Sequence, residues 1–100
     1  MVANGIEFKE ADISAFCNKW KIQELSLFGS ILRDDFRTDS DIDMLVVFAE
    51  DAKWSFFQLC EAEEEMKGKL GRDVELVPKA QLKWVIRDDV INSARLLYAL

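Results

Sequence analysis

Asp41 and Asp43 flank Ile42 at the head of an apolar run, Met44-Leu45-Val46-Val47-Phe48. An extended chain alternates its side chains, so the two acids project to one side while Ile42 and Met44 project to the other. Two carboxylates facing one point repel each other, and a hard divalent cation that takes oxygen ligands is the usual compensation. Upstream, separated from Asp41 by the ten residues 31–40, stands a Gly29-Ser30 pair. A glycine there admits backbone conformations closed to other residues and lets a ligand approach the main chain. The amides that open the next segment then form an anion cradle. Carboxylates for a metal beside amides for a phosphate point to a metal–nucleotide complex.

These groups need strands on both sides of the turn. Ile22 to Phe28 reads as a strand ending on Gly29-Ser30, followed by a short helical turn over Ile31 to Asp35 and a loop over Phe36 to Ser40. Asp41 to Phe48 reads as a second strand, whose continuous apolar run suits a strand covered on both faces. Asp73-Val74-Glu75-Leu76-Val77 reads as a third strand ended by Pro78, with Asp73 and Glu75 on one side. Before the first strand, Ile13, Phe16, Cys17 and Trp20 recur at helical spacing over Lys9 to Trp20. A second helix is expected over Ala52 to Leu70, with Asp51 as N-cap and Gly71 as its stop. Glu61, Glu63, Glu64 and Glu65 form mostly one solvated face of it. Lys79 to Tyr98 reads as helical in one or two pieces, and Met1 to Phe8 as a frayed or pairing terminus. Trp20 and Trp54 fall at helix positions suited to the core or its edge, whereas Trp84 and Tyr98 suit either the core or a partner surface. The whole is an α/β (α+β) domain: a small mixed sheet of three or four strands flanked by helices.

Composition narrows the chemistry. A chain of 100 residues is expected to form a single domain, 1–100, burying roughly two-thirds of its unfolded surface. Such a domain leaves no room for a second one to hold an acceptor. There is no histidine, and Cys17 and Cys60 have no CxxC partner, which argues against zinc, a Ser-His or Cys-His nucleophile and a disulfide framework. Both cysteines are expected in the core. The net charge of −6 disfavours nonspecific nucleic-acid binding. No apolar run approaches the roughly 20 residues of a membrane span, and the N-terminus lacks signal-peptide character, so a cytoplasmic location is expected.

Gly29-Ser30, ten residues, then Asp41-Ile42-Asp43 resembles the signature of the DNA polymerase beta-like nucleotidyltransferase superfamily. The surrounding LFGS and SDIDMLVVF resemble its minimal nucleotidyltransferase branch, over about Ile13 to Tyr98. The resemblance implies that Asp41 and Asp43 hold two Mg²⁺ ions, that Ser30 binds the terminal phosphates of ATP, and that Gly29 lets the backbone come close. It further implies a third carboxylate on the neighbouring strand, binding the catalytic metal and helping to deprotonate the acceptor hydroxyl. That position is Glu75, favoured over Asp73; Glu departs from the more common Asp and places the carboxylate about 1.5 Å further from the backbone. Arg33 either contacts a phosphate or forms a surface ion pair with Asp34, Asp35 or Asp39. Asp34 is a second departure, at a place where relatives often have Gly.

The function so implied is a Mg²⁺-dependent nucleotidyltransferase acting as an antitoxin, moving AMP from ATP to a tyrosine of a HEPN-type toxin ribonuclease that is also its binding partner. Two alternatives stay open: an antitoxin that neutralises its toxin by binding alone, and a nucleotidyltransferase acting on a small molecule. A homo-oligomer is compatible with either. Neither a membrane nor stable nucleic-acid binding is expected.

Overall fold

The computed structural model describes residues 1–100. A four-stranded mixed sheet carries the site. Strands β3 (Ile22–Phe28) and β4 (Ile42–Phe48) run antiparallel, β5 (Val74–Pro78) adds parallel to β4, and β6 (Arg95–Ala99) adds antiparallel to β3, giving the order β5-β4-β3-β6. A separate N-terminal hairpin pairs β1 (Val2–Ala3) with β2 (Ile6–Glu7).

The sheet's inner face carries Ile22, Leu25, Leu27, Ile42, Met44, Val46, Val74 and Leu76. These pack with Ile13, Phe16 and Cys17 of α1 (Glu10–Lys19) and Ala62 and Met66 of α2 (Phe56–Leu70) in one apolar cluster. In both helices the buried positions recur at intervals of three or four residues, the spacing of a single helical stripe. In β4, Leu45 is buried as well as Met44 and Val46, so the strand is covered on both sides, as its continuous apolar run requires. On the outer side, Ile91 of α3 (Trp84–Ser93) lines a shallow cavity together with Ser26, Leu45 and Val47.

Several expectations need correction. Asp51 does not cap α2; the helix starts four residues later than expected, behind Ser55. The Ser55 hydroxyl accepts from Gln58 N–H at 3.2 Å while the Gln58 side chain accepts from Ser55 N–H at 2.9 Å, a reciprocal capping box. Asp51 instead pairs with Lys21 at 3.2 Å. Trp54 therefore precedes the helix, its indole N–H donating to Trp20 O at 2.9 Å and its ring meeting Trp20 edge-on. Gly71 does end α2, in the left-handed conformation at φ +72°.

Lys79 to Tyr98 is not continuously helical. A 3-10 turn (Lys79–Gln81) and α3 occupy its first part, but Arg95–Ala99 is strand β6. The Leu-Leu-Tyr triplet fits either period, and pairing with β3 decides for the extended form. The acidic stretch of α2 is also less solvated than expected. Glu63 accepts from Leu76 N–H at 2.8 Å, closing the free edge of β5, and Glu65 accepts from the Trp20 indole at 3.1 Å and pairs with Lys19, joining α1 to α2. Cys17 is fully buried, whereas Cys60 is only half-buried. No helix is long and apolar enough to cross a membrane.

Candidate active site

The site lies where β3, β4 and β5 meet the turn after β3. Gly29 opens a 3-10 turn (Gly29–Leu32) at φ +78°, in the left-handed region that glycine enters without strain. Ile31, buried, anchors this turn from below. Its far end is held from the N-terminal hairpin: the Asn4 side-chain amide donates to Ile31 O at 2.7 Å and to Arg33 O at 3.0 Å. Asn4 was not among the residues singled out from the sequence. The signal was Asn4-Gly5 between Val2-Ala3 and Ile6-Glu7, a two-residue hairpin turn, and both residues have positive φ (49° and 77°).

Register brings the acids together. Asp43 is paired with Phe28, immediately before Gly29, on one side and with Glu75 on the other. Paired residues of neighbouring strands point to the same face, so the Asp43 and Glu75 carboxyls stand side by side on the face opposite Ile42 and Met44. Burial pushes the Asp43 carboxyl up to about 6. The negative charges of Glu75 and then Asp41 add to the rise, and the Arg33 guanidinium opposes it.

Asp41 stands exposed just before β4, within electrostatic reach of Asp43. The three carboxylates do not close on one point as a ready three-ligand cage. Asp73 is turned away from the group, because its carboxylate pairs with Lys67 at 2.8 Å, which holds it below the usual carboxylate range.

Phe28, Gly29, Ser30, Arg33 and Asp43 form one wall of an open cleft of about 470 Å³. The facing wall is a single stripe of α3, formed by Ile86, Asp89, Val90 and Ser93, spaced at i, i+3, i+4 and i+7. Arg33 also donates from Nε to Asp35 at 3.2 Å, so the ion-pair alternative is realised while the residue still lines the cleft.

A nucleotidyltransferase domain model matches residues 13–97. The chain belongs to the nucleotidyltransferase family. Within it, the chain is 37% identical over 75 residues to the protein adenylyltransferase MntA of Thermococcus cleftensis, covering 75% of this chain and 74% of the relative. A putative protein adenylyltransferase of Methanocaldococcus jannaschii is 34% identical over 79 residues, covering 74% and 79% of the two chains.

Among solved structures, a putative minimal nucleotidyltransferase superposes with a TM-score of 0.70 at 27% identity, over 85% of each chain. A toxin–antitoxin crystal structure with AMP-PNP superposes at 0.74 over 93% of this chain and 75% of that one, a likeness of fold at 24% identity. The expected small mixed sheet flanked by helices is thus the nucleotidyltransferase fold. The resemblance to the minimal branch, read from Gly29-Ser30 and Asp41-Ile42-Asp43, agrees with these relatives.

Proposed function

We propose that this nucleotidyltransferase moves AMP from ATP onto a hydroxyl of a HEPN-type toxin, a tyrosine in the first instance, and acts as that toxin's antitoxin. The support for the acceptor comes from relatives: one is named a protein adenylyltransferase, and one neighbour in fold is a complex of a tri-AMPylated Shewanella oneidensis HEPN toxin with an MNT antitoxin. The observation that carries the chemistry is the place of Asp43, beside Glu75, near Asp41 and against the Gly29 turn.

The donor set fits a divalent ion. It is all oxygen, it carries an excess of negative charge that adds to the burial holding Asp43 up at about 6, and it opens on a cleft beside backbone amides. Asp41, Asp43 and Glu75 would hold the metal, Mg²⁺ in the first instance and two ions by family pattern. When bound, it would offset charge on the α-phosphoryl group and on the leaving pyrophosphate.

The chain's own groups supply the remainder. Gly29 and Ser30 take the terminal phosphates, and Arg33, lining the same cleft, adds a cation to them. The acceptor oxygen forms its bond to the α-phosphorus as the α–β bridging bond breaks and pyrophosphate departs. Glu75, exposed beside Asp43, receives the hydroxyl proton.

One observation favours the binding-only alternative: Trp84, Val85 and Ile86 present an exposed apolar surface on α3 that suits masking a partner. Incubating the protein with ATP labelled at the α-phosphate, Mg²⁺ and a candidate HEPN-type toxin separates the two. Label on the toxin that disappears in the Asp41→Ala, Asp43→Ala double variant is expected. Undiminished protection of the toxin by that variant, with no label moved by the wild type, would leave only the binding reading.

A further inference from the structure

We infer that Arg72 is a positioning residue for Asp41, fastening the loop that delivers this carboxylate to the site. The inference rests on the metal-dependent transfer proposed above. Asp41 has no hydrogen-bonded partner of its own, and it lies at the end of the irregular segment 33–41, between the Gly-Ser turn and β4. Loops of this length are mobile unless something outside them ties them down.

Arg72 is that tie. It sits between the Gly71 stop of α2 and the start of β5, a position fixed by two well-packed elements. From there its Nη2 donates to two loop carbonyls, Arg37 O and, at 2.6 Å, Ser40 O. The guanidinium also lies 4.6 Å from the centre of the Phe36 ring. The two carbonyls already belong to one closed turn, in which Ser40 N–H donates to Arg37 O at 3.2 Å and Arg37 N–H donates to Ser40 Oγ at 3.0 Å. One side chain therefore grips a preformed turn at both ends and stacks on the residue before it. Immediately beyond, Ile42 N–H donates to Asp73 O at 2.9 Å, so the backbone is held on both sides of Asp41 by the two residues Arg72 and Asp73.

The consequence concerns the metal site and not only the loop. Asp43 and Glu75 are set by strand register, which a loop substitution does not move. Asp41 lies outside the strand and takes its place from the clamp. A planar guanidinium suits this role, since one group satisfies two carbonyls while its face covers an aromatic ring, which an ammonium cannot reproduce in full.

The test uses the full chain with Mn²⁺ as the probe, free Mn²⁺ being read by electron paramagnetic resonance against a protein-free control at the same ATP concentration, alongside the Mg²⁺ dependence of label transfer. Arg72→Ala is expected to weaken Mn²⁺ binding about 10-fold, the scale of lost second-layer support around metal ligands, and to raise the Mg²⁺ concentration at half-maximal transfer by a similar factor. Arg72→Lys is expected to recover part of both, and Phe36→Leu to show a smaller shift in the same direction. Measurements well below the melting temperature of each variant remove loss of folded protein as a cause, since unfolding lowers the number of sites without changing their affinity. Arg72→Ala with wild-type Mn²⁺ affinity overturns the inference alone. A wild-type protein that binds no Mn²⁺ with ATP overturns the metal-site reading and this inference with it.

Discussion

Gly29 and Asp43 are in contact across the β3–β4 pair, and the glycine is what allows it. A methyl group at Gly29 would stand 2.5 Å from Asp43 Oδ2, and the backbone there has φ +78°. Either fact alone disfavours a side chain; together they tie the identity of residue 29 to the position of the carboxylate. Gly29→Ala is expected to cost about 1–2 kcal/mol through its left-handed backbone, lowering the melting temperature by roughly 4–8 °C per kcal/mol. Because Asp43 must also move, transfer should fall about 100-fold or more, beyond what the stability loss explains. Gly68→Ala is the control: nothing lies within 4 Å of that position, and the change within α2 should stabilise by about 0.5–1 kcal/mol. Thermal melts and initial rates of label transfer check both.

The raised carboxyl of Asp43 predicts a pH dependence opposite in sign to that of most surface acids. A folded-state value of about 6 exceeds the ordinary one, 3.8, so the folded protein holds this proton more tightly than the unfolded chain. The stability contributed is fully present below about pH 4 and is lost as pH rises through about 6. Asp43→Asn should thus melt higher than wild type at pH 7.5 without added metal, while abolishing transfer. Metal binding competes with the same proton, so Mn²⁺ affinity should fall as pH drops below about 6. Melting curves across pH 4–8 for the two proteins, with and without metal, read the sign directly.

Glu75 and Asp73 should behave unlike each other although both are acids on or beside β5. Glu75→Gln removes a charge next to Asp43 and should lower transfer about 100-fold or more. Asp73→Asn loses only an exposed ion pair with Lys67 and keeps the carbonyl that holds Ile42, so transfer should remain within about 3-fold of wild type and stability within about 1 kcal/mol. Initial rates of the two variants side by side check the assignment of the third carboxylate.

Core residues give a structural check independent of the site. Met66 is fully buried between α2 and the sheet, and Met66→Ala should cost about 2–5 kcal/mol in denaturant titration. Burial pushes the Cys17 thiol up to about 12, so Cys17 should resist alkylation until the protein unfolds. Mass spectrometry of iodoacetamide-treated protein across a urea series follows both events together.

Local signals carried the site further than they carried the periphery. Ile22–Phe28 and Ile42–Phe48 were legible because the alternating Leu25-Ser26-Leu27 ending on Gly29-Ser30 and the apolar run headed by Asp41 both read as strands. Alternation placed Asp43 on the face opposite Ile42, and the parallel register with β5 then supplied Glu75 opposite it, something no local pattern encodes. β6 was missed because Val90, Ile91, Ala94, Leu97 and Tyr98 also satisfy a helical rhythm, and only the free edge of β3 settles the matter. Ser55 with Gln58 was a readable helix start overlooked in favour of Asp51, an acid that has a lysine to pair with. Asn4 and Arg72 were invisible as site supports, since each acts by donating to carbonyls more than 25 residues away in sequence.

Three carboxylates sharing a divalent ion beside the Gly29 turn are the centre of the proposed chemistry, and crystals grown with Mn²⁺ and a non-hydrolysable ATP analogue test this most directly. The prediction is an anomalous peak within about 2.0–2.3 Å of oxygens from Asp41, Asp43 and Glu75, with the triphosphate running over Gly29 and Ser30. A nucleotide bound with its metal elsewhere, or with Asp43 and Glu75 contributing no ligand, would contradict it.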